Sequence, residues 1–241
     1  SVSECGPEPA HNRHLKIASF NFGYDQPMME GGKQFQWRSS FVRVCGTLVE
    51  NLNADLLFCC EVGGFRQGFG QVAFGEVLKE LKRAFGQGLK YCLTDNYVAL
   101  WGFGASSKGS GGASQPALVS FHDNQKFSMS VGARGVDAAI TEFQVVLPTG
   151  GRYCLVVGNM HIVCGKDHPP TIIQRKIAVK QLAAELLTHC FDPGIPAVRL
   201  ILGDNNLQLE PVMQALQRAN NREPLWRVYA SAANRNGDNV A

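Results

Sequence analysis

Four mostly apolar stretches of this sequence run into a side chain able to bind a cation or polarise a phosphate. Asn21 follows Ile17-Ala18-Ser19-Phe20, and Glu61 follows Phe58-Cys59-Cys60. Asn159 and His161 come after Leu155-Val156-Val157-Gly158, and Asp204 and Asn206 come after Leu200-Ile201-Leu202-Gly203. Hard oxygen donors of this kind suit Mg²⁺ or Mn²⁺, with substrate phosphate and water completing the shell. A histidine adds a side chain whose charge changes near neutral pH. Singly, each residue has an ordinary use: a turn cap for Asn21, a solvated carboxylate for Glu61, a satisfied strand histidine for His161 and an N-cap for Asp204. Their shared position at strand ends, where a rigid base can converge side chains, makes them a candidate site.

The elements that must carry these residues follow from periodicity. Leu15 to Asn21 reads as a strand, and Asp55 to Val62, apolar on both faces, as a buried one. Gln36 to Leu52 has helical spacing through Phe41, Val44, Cys45, Leu48, Val49 and Leu52, and Val72 to Phe85 repeats the pattern. Short strands then succeed one another: Lys90 to Leu93, Tyr97 to Phe103, Ala117 to Phe121, Lys126 to Val131, Ala138 to Leu147 and Arg152 to Val163. Gly102 to Ser114, rich in Gly and Ser, is a surface loop; its Lys108 precedes Gly109 without a following helix, so it is no phosphate-binding Walker loop. Thr171 to Cys190 is the longest helix, begun after Pro169-Pro170, with Ile173, Ile177, Leu182, Leu186 and Leu187 as buried candidates. Val198 to Leu202 is a strand and Glu210 to Ala219 a short helix, and Leu225 to Ser231 and Asp238 to Ala241 are strand fragments.

Length and composition set bounds around this pattern. A chain of 241 residues, 45% hydrophobic and 18% charged, can bury one sizeable core, and its formal net charge of +3 neither demands nor opposes a nucleic-acid partner. No stretch reaches the roughly 20 apolar residues of a membrane span, and Ser1 to His14 is polar and unlike a secretory leader. The eight cysteines lack framework spacing and read as reduced, buried thiols. A zinc site from Cys154, His161, Cys164 and His168 is disfavoured, because Cys154 and His161 fall on opposite faces of one strand. The expected setting is intracellular, cytoplasmic or nuclear.

The ordered set resembles the endonuclease/exonuclease/phosphatase superfamily, over nearly the whole chain from Ile17 to Val240. Ile17-Ala18-Ser19-Phe20-Asn21 is similar to its opening strand, and Asp55 to Glu61 to the segment that delivers a metal-binding Glu, with Cys60 where Gln is usual. Gly158-Asn159-Met160-His161-Ile162 is similar to the Asn-Thr-His-Leu segment, followed by Gln174 and Arg175. Gly203-Asp204-Asn205-Asn206 is similar to Gly-Asp-Phe-Asn. The resemblance implies an α/β fold, a four-layered sandwich of two packed mixed β-sheets flanked by helices, formed by residues 15–241 after a polar extension, 1–14. It further implies a metal-dependent phosphoesterase, with Mg²⁺ or Mn²⁺ held by Glu61 and Asn21. Asp204 would orient or deprotonate the attacking water, Asn206 would bond the phosphoryl group, and His161 would donate to a phosphate oxygen or the leaving group.

The final Ser-Asp-His segment of that superfamily has only Gly237-Asp238-Asn239 to represent it. Asp238 is the remaining catalytic candidate, and Asn239 stands where His is usual. Either the site is degenerate, giving an inactive scaffold that binds a phosphate ligand or a protein, or the chain stops before the last strand and its His; the short spacing from Asp204 to Asp238 favours the second. The expected substrate is a phosphoester, with DNA or RNA the leading choice and a lipid or inositol phosphate not separated from them. Arg134, Lys108, Lys126 and Lys166 could meet phosphates, and Phe22, Tyr24, Phe65 and Trp101 could stack on bases or simply pack. A doubly wound α/β domain is set aside because no Gly-x-Gly-x-x-Gly opens a helix after a strand.

Overall fold

The computed structural model describes residues 15–22, 34–62, 70–104, 118–131, 134–162 and 171–204. Asn206, Asp238, Tyr24, Phe65, Lys108 and Lys166, the glycine-rich segment past Gly104, and the elements expected after Asp204 lie outside these residues.

Among the described residues, eight strands form two four-stranded sheets. The first contains β1 (Ile17–Asn21), β2 (Leu56–Cys60), β3 (Lys90–Thr94) and β4 (Tyr97–Trp101) in the order β1-β2-β4-β3. Here β1 runs parallel to β2, and β4 is antiparallel to both β2 and β3. The second contains β5 (Leu118–Val131), β6 (Arg134–Val146), β7 (Arg152–His161) and β8 (Ala197–Asp204) in sequence order, antiparallel except for the parallel pair β7 and β8. Each sheet is therefore mixed, as expected.

Side-chain alternation divides every central strand between two cores. On β2, Leu56 and Phe58 join Ala99, Trp101, Phe143, Val145, Leu155 and Val157 between the sheets. The intervening Leu57 and Cys59 face α1 (Gln34–Leu52) and α2 (Gly70–Phe85), meeting Phe41, Cys45, Val49, Val77, Leu81 and Phe85. On β7, Cys154, Val156 and Met160 face α3 (Ile172–Thr188). The layers are thus helix, sheet, sheet, helix, and a strand buried on both faces explains the unbroken Leu-Leu-Phe-Cys-Cys run. Cys45, Cys59, Cys60 and Cys154 are buried free thiols, as expected, whereas Cys92 and Cys190 are free thiols only partly buried.

Two expectations need correction. Two strands were expected between residues 117 and 131, but β5 is continuous, with a bulge between Phe121 and Asp123. Asp123, Asn124 and Gln125 look like turn residues, yet β5 is an outer strand where polar side chains are tolerated, and Asn124 bonds Thr94 and Thr141. On α3, Leu182 and Leu186 are buried, but Ile173, Ile177 and Leu187 are exposed; Ala178, Val179 and Ala183 complete the inner face. Size misled the sequence reading, because this helix sits close to its sheet: a side chain added at Gly158 of β7 would come within 3.0 Å of Leu182.

Two local features fix the ends of β8 and α3. Gly203 has φ 103°, and a Cβ there would lie 2.0 Å from the Met160 carbonyl oxygen, so only glycine lets β8 pass this close to β7. Thr171 caps α3 in a reciprocal pair with Gln174, whose side chain accepts from the Thr171 N–H at 2.8 Å. Gly203→Ala is expected to lower stability by more than about 2 kcal/mol in chemical denaturation, through strain and a backbone clash. Thr171→Ala is expected to cost about 1 kcal/mol. A Gly203→Ala protein as stable as the parent would contradict the close approach of β8 to β7.

Candidate functional site

The space between the sheets is apolar along most of its length and turns polar at one end. Continuing the alternation of Leu155 and Val157 along β7 gives Asn159 and His161, and continuing Leu200 and Leu202 along β8 gives Asp204. Asn21 closes β1 on the face that begins with Ile17. The parallel pairings align these ends, with Asn21 beside Cys60 and His161 beside Asp204. Three strands from two sheets thus deliver their polar ends to one place.

Glu61 arrives by a different route. By alternation Cys60 takes the inner position, packing with Tyr97 and Ala139, and Glu61 would turn outward. Instead Glu61 adopts φ 55°, left-handed backbone that a non-glycine residue enters at a cost of about 1–3 kcal/mol. Its carboxylate Oε1 then contacts Nε2 of His161. Both side chains are largely shielded, at 14% and 8% exposure for Glu61 and His161. Burial alone would raise the Glu61 carboxyl, but hydrogen bonding and charge from His161, with a hydrogen bond from Asn21, outweigh it and hold it below its ordinary value. The carboxylate is therefore ionised at neutral pH.

Asn21 ties the arrangement together. Its Nδ2 donates to Oδ2 of Asp204 at 3.0 Å, and its side chain also hydrogen-bonds Glu61. One amide so stands between two carboxylates. The donor set of two carboxylates and a carboxamide fits a hard divalent ion. Among the described residues no three His, Cys, Asp or Glu side chains form a complete cage. That is compatible with Mg²⁺, which is commonly held by one or two carboxylates plus substrate phosphate and water.

Two buried groups support the site from below. Asn159, 1% exposed, donates from Nδ2 to the Cys59 carbonyl at 3.1 Å and crosses between the sheets; its Oδ1 has no partner among the described residues. Tyr97, 5% exposed, accepts from the His161 N–H at 3.0 Å and donates to the Asp137 carbonyl at 2.6 Å. Sequence reading missed Tyr97, because a tyrosine opening an apolar strand carries no signal of a polar contact with another sheet.

Other candidates fall elsewhere. Lys126 is held by Asp137 at 2.8 Å and Asp95 at 2.7 Å, and these carboxylates hold its charge above the ordinary lysine range. Phe22 packs edge-on against Phe41, and Trp101 lies in the core between the sheets, so both pack rather than offer a face to a base. Cys154 faces α3 while His161 faces the opposite sheet, as expected from their spacing. An open apolar groove of about 340 Å³ lies near the starts of β1, β7 and β8, lined by Ile17, Tyr153, Leu155 and Val198 among others, away from the polar end.

No protein-family model and no curated protein matches this sequence. Among solved structures, the chain is similar to an endonuclease/exonuclease/phosphatase family protein from Bacteroides thetaiotaomicron, with TM-score 0.52 and 13% identity, covering 85% of this chain and 68% of that one. The human Nocturnin catalytic domain with bound sulfate anion gives TM-score 0.44 and 12% identity, covering 73% of this chain and 62% of that one. Truncated TDP2 from Caenorhabditis elegans gives 0.42 and 15%, covering 83% and 67%. With its two mixed sheets between helical layers and its likeness to the Bacteroides protein, this chain has the endonuclease/exonuclease/phosphatase fold.

Proposed function

We propose that the chain is a divalent-metal-dependent phosphoesterase acting on phosphodiester or phosphomonoester bonds, with nucleic acid the substrate class. The observation that carries the reading is the convergence of Asn21, Glu61, His161 and Asp204 from four strand ends, with Glu61 kept ionised among them. Residues 15–241 form the catalytic domain in this reading, and 1–14 an extension.

Glu61 and the Asn21 carbonyl oxygen would hold Mg²⁺ or Mn²⁺. Such an ion supplies charge neutralisation at the phosphoryl oxygens and at the leaving oxygen. Asp204, held in place by Asn21, orients a water and accepts its proton. His161, fixed on its backbone by Tyr97, donates to a phosphoryl oxygen or the leaving group. Asn206 and Asp238 complete the assignment from the sequence resemblance, Asn206 as a hydrogen-bond donor to the phosphoryl group and Asp238 as the remaining catalytic candidate.

Hydrolysis of single-stranded DNA, duplex DNA, RNA and a generic phosphodiester, each with Mg²⁺, Mn²⁺ or EDTA, tests the reading. Metal-dependent turnover of at least one substrate is expected. Glu61→Gln is expected to lower it by about 100-fold or more while leaving the fold intact. Full activity of Glu61→Gln would sink the assignment. Binding of a phosphate ligand without turnover by any substrate would replace it with the inactive-scaffold alternative.

A further inference from the structure

The ladder between β6 and β7 stops one pair short of the site. Its last pair is Ala138 with Met160, and the next along the same register would set Asp137 opposite His161. That pair is not part of the ladder; the Tyr97 hydroxyl, reaching across from the other sheet, takes both backbone groups instead. It accepts from the His161 N–H at 3.0 Å and donates to the Asp137 carbonyl at 2.6 Å. A hydroxyl can do this because it is donor and acceptor at once.

The surroundings prepare this contact. Tyr97 starts β4, and its ring packs with Cys60 and Ala139, small residues that leave room for it between the sheets. On the far side, Asp137 is anchored through its carboxylate, which accepts from Ser128 at 2.8 Å and pairs with Lys126 at 2.8 Å. The hydroxyl therefore sits between an anchored strand and the residue that carries the imidazole.

We propose that Tyr97 is a positioning residue: its hydroxyl replaces the missing rung, holds the end of β7 away from β6, and so aims His161 at Glu61. Without it, the His161 N–H closes directly on the Asp137 carbonyl or turns to water, and the ring leaves Glu61. A displacement of about 1 Å at such a residue can cost about 100-fold in rate. The kinetic consequence rests on the phosphoesterase reading; the structural one does not.

The test compares the parent with Tyr97→Phe, which keeps the ring and removes only the hydroxyl. In the variant, the His161 backbone amide resonance is expected to shift and its hydrogen exchange to accelerate by about 10-fold or more, the ring signals also moving. Turnover is expected to fall about 10- to 100-fold in kcat with KM within about twofold, a split that general loosening of the core would not produce. An unchanged amide resonance and exchange rate, or an unchanged kcat in an active enzyme, would overturn the proposal. If neither protein turns over any phosphoester, the phosphoesterase reading fails and the amide measurements alone decide. If Tyr97→Phe does not fold, exchange in the parent decides: a protected His161 amide supports the contact, and an unprotected one overturns it.

Discussion

The face between the two sheets has to serve two incompatible purposes. Along most of its length it is a dry core, where Phe58, Phe143, Leu155 and their neighbours bury side chains worth about 1.5–3 kcal/mol each. At one end the same strands must present amides, carboxylates and an imidazole. Burying such groups is tolerable only when they are bonded to one another. The partners are found across the gap: Asn21 on Asp204, His161 on Glu61, Asn159 on the Cys59 carbonyl, and Tyr97 on the backbone of β6 and β7. Polar bonds between sheets thus continue, at the site, the work that apolar contacts do elsewhere.

This constraint also accounts for the strain. The left-handed conformation of Glu61 costs about 1–3 kcal/mol, no more than one well-buried aliphatic side chain returns. A core of this extent can hold one such residue, and the strain re-aims a carboxylate that the strand would have pointed at the helices. Gly203 solves the matching problem on β8, where removal of a Cβ rather than reversal of a side chain lets Asp204 come level with His161. The site is built from regular strands with two local departures, one at the end of β2 and one in β8.

What could be read from the sequence divides along the same line. Strands buried on both faces announce themselves as apolar runs, and a polar residue closing such a run stands out, so Asn21, Glu61, His161 and Asp204 were all visible. Order along the chain then identified the fold. The inner face of α3 was not visible, because Ala178 and Ala183 pack where Ile173 and Ile177 looked better suited, and close approach to Gly158 favours small residues over large. The unity of β5 was hidden by Asp123-Asn124-Gln125, which an outer strand accommodates. Tyr97 and the backbone of Glu61 could not be read at all, since both depend on which sheet faces which. Glu61 was found for its chemistry, but its geometry is a tertiary property.

In the proposed site a divalent cation is held by Glu61 and Asn21, with Asp204 and His161 beside it. Titration of the isotope-labelled protein with Mn²⁺ tests it most directly, because the paramagnetic ion broadens signals only near where it binds. Early broadening confined to the ends of β1, β2, β7 and β8, reversed by excess Mg²⁺ and abolished in Glu61→Gln, is the expected result. Broadening centred elsewhere, or unaltered in Glu61→Gln, would contradict the account.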